Sequence, residues 1–288
     1  MPADRVERAH TDSQVDWAPR AWFEAQSVAG AGDGSAAYFG HAANGYQRFR
    51  HAQLEEALAE IGSTLRRDGL LDIGCATGVL TARLAKRFGF RRAVGIDFLA
   101  AVLEQGRRSF PSIELREAQL PDLAFEDAAF DLVVASEVLY YLTPEARSRA
   151  VGEVARVLKP GGYLLFTSAL GSSYFTVESA RALIAGPLQI VGERHLHMRI
   201  CHALSEPFYL AERLRGMLAA GTQPASAEMQ RRLARWRWLL ANPAARLAIA
   251  VVARIGRPLL GSERLPRLLN RIGFGPATNT ILIARRPV

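Results

Sequence analysis

Asp72 and Asp97 each close a short apolar run, in "GLLDIG" and "AVGIDF", and a glycine-containing loop, Gly74 to Gly78, follows the first of them. The two acids invite different chemistry. A carboxylate at the end of a second strand, 23 positions after Gly74, can accept both hydroxyl protons of a vicinal diol, which is how ribose is held in nucleoside sites. The loop opens a helix, so its backbone N–H groups would suit an anion. Asp72 would repel a pyrophosphate at that place and attract an ammonium or sulfonium. The dinucleotide pattern also requires glycines at 74, 76 and 79, and the chain has Gly74, Ala76 and Val79. These residues together point to an adenosine-type ligand that carries positive charge and no phosphate. S-adenosylmethionine fits that description.

The elements that must position these residues alternate. "GYQRFRHAQLEEALAEIGSTL" reads as an amphipathic helix, "GLLDIG" as a buried strand and "GVLTARLAKRFG" as a helix closed by Gly89. A strand "RAVGIDF", a helix "AAVLEQGRRSF" and strands "SIELREA" and "FDLVVASEVL" follow. Thr143 and Pro144 fit the N-cap and first turn of the helix "PEARSRAVGEVARVL", and "GGYLLFTSAL" completes the run. Strands alternating with helices predict a Rossmann-like, doubly wound, mostly parallel α/β sheet. Beyond Leu170 the rhythm changes: "LQIVGERHLHMRI" reads as one more strand, residues 203–272 as helical, and "NTILIARRP" as a final strand returning to the sheet. The expected organisation is an N-terminal arm over 1–45, a core over 46–202, a helical insertion over 203–272 and a last core strand within 273–288.

The ordered segments "LLDIGCATG", "AVGIDF", "LPDLAFEDAAFDLVVASEVLYYL" and "RVLKPGGYLLF" resemble the class I S-adenosylmethionine-dependent methyltransferases of the small-molecule group, across roughly residues 46–170. "SEVLYYL" is also loosely similar to bacterial N-methyltransferases acting on amino sugars. The resemblance implies that Asp72, Gly74 and Gly78 hold the methionine portion, that Asp97 binds ribose and that Phe98 packs on adenine. Gln119 stands where the family often has an aspartate facing the adenine amino group, and Leu120 would supply a backbone contact. Ala135 and Ser136 would face the methionine end.

Methyl transfer from a sulfonium is an in-line displacement that needs alignment and exclusion of water; an alcohol or phenol acceptor also needs a base. Glu137 and Tyr140 follow the fourth strand and are the candidates, against the plainer reading of a helix-start acid and a packing aromatic. His195, His197 and His202 superficially suggest metal ligands, with the first two on one face of a strand. No acidic partner is evident nearby, so no metal site is expected. His41 belongs to the arm that could close over the cofactor. Arg48 and Arg50 read as a solvated helix face, with a cofactor carboxylate as the alternative partner.

Charge is segregated. Residues 199–288 hold 15 Arg and 4 Glu, net +11, whereas 1–198 carry 21 basic against 24 acidic side chains, net −3. Arginines 246, 254 and 257 interrupt the apolar runs of the insertion, so no membrane span is expected. The segment suits a cap over a hydrophobic substrate, or a helix resting on an anionic membrane surface. No recognisable RNA-binding module accompanies the charge, and no nucleic acid is expected. "MPADRVERAHTDSQVDW" has no apolar core of a secretory signal, and two cysteines suit a reducing compartment, so a cytoplasmic location is expected, with attachment at the inner membrane face as its extension. The expected function is methyl transfer to oxygen or nitrogen of a hydrophobic small molecule or lipid-linked intermediate. The competing readings are an NAD-dependent oxidoreductase, which Asp72 and the missing glycines disfavour, and a non-catalytic cofactor-binding protein of the membrane surface.

Overall fold

The computed structural model describes residues 45–201, 203, 242–273 and 275–288. Most of the N-terminal arm, including His41, lies outside the described residues, as do His202 and the first part of the insertion.

The chain begins with helix α1 (Gly45–Glu60), then β1 (Gly69–Ile73), α2 (Val79–Phe88), β2 (Arg92–Asp97), α3 (Ala100–Ser109), β3 (Glu114–Glu117) and β4 (Phe130–Ser136). A 3₁₀ turn, Leu139–Tyr141, leads into α4 (Pro144–Val157), β5 (Leu158–Ala169), α5 (Val177–Ala185) and β6 (Gln189–Leu196). Helices α6 (Pro243–Gly261) and α7 (Arg264–Ile272) precede β7 (Asn279–Arg285). The seven strands form one sheet in the order β3-β2-β1-β4-β5-β7-β6. The pairs from β3 to β5 are parallel, while β7 is antiparallel to both β5 and β6. The chain switches sides between β1 and β4, and such a switch point opens a crevice at the carboxyl ends of the strands.

Local chemistry explains the boundaries. Thr143 caps α4 by accepting from the Ala146 N–H at 3.4 Å, with Pro144 in the first turn, and Gly89 ends α2 in the left-handed conformation. Helix α5 is not among the elements expected from the sequence. Its start is a capping box: Thr176 Oγ accepts from the Ser179 N–H at 3.1 Å, and Ser179 Oγ accepts from the Thr176 N–H at 2.9 Å.

Strand alternation divides the core. Leu71, Ile73, Val133, Leu164, Phe166 and Leu282 pack with α4 and α5 residues such as Ala150, Val154, Ala180 and Ile184. The intervening residues turn to the side occupied by α1, where Thr64 bonds the Tyr163 hydroxyl at 2.7 Å and Arg194 pairs with Glu56 and Glu60. Helix α1 differs from the amphipathic surface helix expected. Residues 50–55 are buried on every side of it, so its polar side chains need partners, and Glu55 finds Arg83 and Arg87 of α2.

The described residues form two compact units. One contains Arg50–Leu196 and Ala277–Val288; the other contains the described residues of the stretches 43–49 and 197–276. Within it, Asn242 Oδ1 accepts from the Ala244 N–H at 2.9 Å at the start of α6, and Asn270 Oδ1 accepts from the His197 N–H at 2.8 Å. Helix α6 exposes Leu247, Val251 and Val252, and α7 exposes Leu268 and Ile272.

Asp131 anchors the amino ends of the strands. Its buried carboxylate accepts from the Asp68 and Gly69 N–H groups, both at 2.9 Å, and from Lys159 Nζ at 3.0 Å. Removing it leaves the Asp68 and Gly69 N–H groups without that acceptor and takes one of two carboxylates from Lys159, whose other partner is Asp68, so Asp131→Ala should cost about 2 kcal/mol in urea denaturation. A change below about 0.5 kcal/mol would contradict that role.

Candidate cofactor site

The loop after β1 is shaped by backbone conformation. Gly74 and Gly78 sit at φ 70° and 76°, a region costly for side-chain-bearing residues. A Cβ on Gly74 would meet Val138 at 2.7 Å, and one on Gly78 would meet Ile113 at 2.7 Å. Ala76, at the position of the missing middle glycine, also adopts positive φ, 49°. Its N–H donates to Asp97 Oδ2 at 2.9 Å, while Asp97 Oδ1 accepts from the Leu99 N–H at 3.0 Å. Asp97 thus clasps the loop from the end of β2 and keeps further lone pairs for a ligand's hydroxyls.

Asp72 is 1% exposed, and its Oδ2 accepts the Thr81 hydroxyl proton at 2.6 Å. Among the described residues neither acid has an ion-pair partner. Burial pushes the Asp72 carboxyl up to about 7; the Thr81 bond opposes this and the Asp97 charge adds to it. Burial also raises Asp97, against the N–H groups of Leu99, Ala76 and Phe98 that favour its charged form. Two buried carboxyls near enough for the Asp97 charge to act on Asp72, with no cationic partner among the described residues, make a site that favours a cation.

Phe98 is half-buried at the end of β2. The Ala118 N–H bonds Asp97 O at 3.0 Å, which brings Gln119, also half-buried, and buried Leu120 alongside the same strand end. Ser136 ends β4, and its hydroxyl lies 3.1 Å from Thr167 Oγ1 and 3.3 Å from Arg50 Nη2. The structure therefore brings Asp72, Gly74, Gly78, Asp97, Phe98, Gln119, Leu120 and Ser136 to the carboxyl ends of β1 to β4.

Glu137 has both carboxylate oxygens engaged, by Thr167, Asn279, Arg50 and the Ala169 N–H. Arg50, read from the sequence as a solvated face, is instead buried against it. Tyr140 is buried with its ring 4.4 Å from Tyr141 and 4.9 Å from Tyr174. Burial, and then the Glu137 charge, hold its hydroxyl well above the ordinary range, so it stays neutral near pH 7.

The histidines need two corrections. His195 does have an acidic neighbour, Glu193, whose Oε1 lies 3.0 Å from its Nε2; a spacing of two on one strand face was the signal. His197 does not share that face, because β6 ends at Leu196, and its Nδ1 lies 2.9 Å from Gly275 O. Among the described residues no three His, Cys, Asp or Glu side chains converge to hold a metal ion.

Residues 70–162 match the family model described as a methyltransferase domain. The chain is 36% identical to Nodulation protein S of Rhizobium tropici over 133 residues, 44% of this chain and 52% of that protein. It is 32% identical to a fatty-acid O-methyltransferase of Mycolicibacterium smegmatis over 146 residues, 48% and 50% of the two chains. The chain spans about half the length of these curated relatives. The solved N-methyltransferase NodS of Bradyrhizobium japonicum WM9, in complex with S-adenosyl-L-homocysteine, shares the fold with a TM-score of 0.51 and 24% identity, over 60% of this chain and 89% of that one.

The raised Asp72 carboxyl has a consequence for stability. A folded pKa near 7 against about 4 unfolded means the native state binds the extra proton, so this contribution is complete below about pH 4 and is lost as pH rises to about 7. Asp72→Asn keeps an acceptor for Thr81 and does not titrate. It should match wild type near pH 4 and exceed it by on the order of 2–4 kcal/mol at pH 8, read by urea denaturation at both pH values. An Asn variant less stable than wild type at pH 8 would contradict the burial argument.

Proposed function

We propose that the protein is an S-adenosylmethionine-dependent methyltransferase acting on oxygen or nitrogen of a hydrophobic small molecule or lipid-linked intermediate. The observation that carries this reading is the buried pair Asp72 and Asp97, without a cationic partner among the described residues, beside a loop of left-handed backbone at the switch point. The donor set fits the cofactor. Asp72 would face the ammonium and sulfonium, Asp97 the ribose hydroxyls, Phe98 the adenine face and Gln119 its amino group. Leu120 would offer main-chain contact, and Ser136 would lie toward the methionine end.

When bound, the cofactor supplies an electrophilic methyl group whose departure discharges the sulfonium. The chain's residues then have to hold the donor rigidly and keep water out, since alignment alone accounts for much of the rate in such a displacement. The fatty-acid O-methyltransferase among the relatives supports an apolar acceptor. So does the second unit, whose helix α6 presents Leu247, Val251 and Val252 to solvent next to Arg254.

No described helix is long and apolar enough to cross a membrane. An apolar helix sector bordered by arginines suits the interface of an anionic bilayer, where each basic residue contributes about 1 kcal/mol. The protein on this reading is cytoplasmic and attaches peripherally through α6 and α7.

Isothermal titration should detect binding of S-adenosylhomocysteine, weakened at least about tenfold in Asp97→Ala through loss of charge-assisted hydrogen bonds. Unchanged affinity in that variant would remove the ribose assignment, and fluorescence enhancement of a reduced nicotinamide dinucleotide on mixing would favour an oxidoreductase. Sedimentation with phosphatidylglycerol vesicles should occur at low salt and fall sharply in Leu247→Glu/Arg254→Gln. Equal sedimentation with neutral vesicles, or none with anionic ones, would refute attachment.

A further inference from the structure

Glu137 occupies the place beyond β4 where a proton acceptor would be sought, yet its surroundings are those of a strut. Its Oε1 accepts from Thr167 Oγ1 at 3.1 Å and Asn279 Nδ2 at 3.3 Å and lies 3.4 Å from Arg50 Nη2. Its Oε2 accepts from the Ala169 N–H at 2.9 Å. Donors from β5, β7 and α1 thus converge on one carboxylate whose side chain is 14% exposed. The Glu137 N–H donates to Thr167 O at 3.0 Å, and the residue sits at φ 58°, a conformation a side chain adopts only where its surroundings impose it. The next residue, Val138, is the one that closes on Gly74 of the cofactor loop. Arg50 Nη2 also donates to Ser136 Oγ, so the same guanidinium touches both residues at the end of β4.

We propose that Glu137 is a positioning residue that acts through Arg50: the pair locks the Arg50–Glu60 part of α1 onto the ends of β4, β5 and β7 and fixes the turn that sets Val138 against the glycine loop. The inference rests on the methyltransferase reading for what the loop binds. A carboxylate whose oxygens are already engaged by donors from three elements is directed into the fold and not toward an acceptor substrate. Its removal acts instead on the shape of the cofactor crevice. Because Arg50 and Glu137 work as one unit, losing both should harm binding no more than losing either.

The test is a double-mutant cycle on S-adenosylhomocysteine affinity, by calorimetry on samples shown folded by circular dichroism. Glu137→Gln and Arg50→Met should each weaken binding by about tenfold, and the double variant by about the same factor. Glu137→Gly tolerates φ 58° without strain and separates the backbone from the carboxylate; it should weaken binding as Glu137→Gln does. Should Glu137→Gln not fold, Thr167→Val removes a single donor and should weaken binding about threefold. Wild-type affinity in Glu137→Gln, as expected of a base that touches only the acceptor, would overturn the proposal, and so would losses that multiply in the double variant. Failure of the wild type to bind S-adenosylhomocysteine would instead overturn the methyltransferase reading itself.

Discussion

The structure is organised around two buried carboxyls, Asp72 and Asp97, that lie within electrostatic reach of each other without a cationic partner among the described residues. Asp72 is held by the Thr81 hydroxyl and Asp97 by main-chain N–H groups, and neither has a cationic partner among the described residues. Burying such charge is unfavourable, and the fold tolerates it because one acid can carry a proton near neutral pH and the other is well supplied with donors. A ligand with two positive centres would relieve the same strain. The acid pair distinguishes this crevice from a dinucleotide site of otherwise similar topology, where helix and loop donors serve a pyrophosphate.

The remaining architecture keeps those acids in place. Parallel pairing aligns Asp72 with Gly95 of β2 and Val134 of β4, which sets Asp97 two residues further along the neighbouring strand. Ala76 shows how a loop can depart from the usual glycine pattern: the hydrogen bond from its N–H to Asp97 accompanies a positive φ that the side chain alone would resist. At the opposite pole Asp131 gathers the starts of β1 and β5, far along the strands from the crevice.

How much of this was legible in the sequence follows from the range of the interactions. The turn from β1 to α2, the Thr143 cap and the Gly89 stop are written in adjacent residues, and their elements were readable as such. The gathering of Asp72, the glycine loop and Asp97 at the strand ends was readable from their spacing along alternating strands and helices, and that of Phe98, Gln119, Leu120 and Ser136 from the family resemblance. The partnership of Arg50 with Glu137 spans 87 positions and that of Asn279 with Glu137 spans 142, and no local pattern announces either. Arg50 on a helix looks solvated until the sheet is built beneath it. Helix α5 and the His195–Glu193 pair are different: a capping box and a period of two lie within neighbouring residues, but after Leu170 no strand–helix alternation frames them.

The most direct test is the proton count on cofactor binding. Calorimetric titrations of S-adenosylmethionine in buffers of differing ionisation enthalpy should show release approaching one proton per cofactor at about pH 6, falling to none by about pH 8.5, as the cation expels the proton from Asp72. The release should vanish in Asp72→Asn. Binding that releases no proton at pH 6, or that takes one up, would contradict the claim that a charged acid pair selects the ligand.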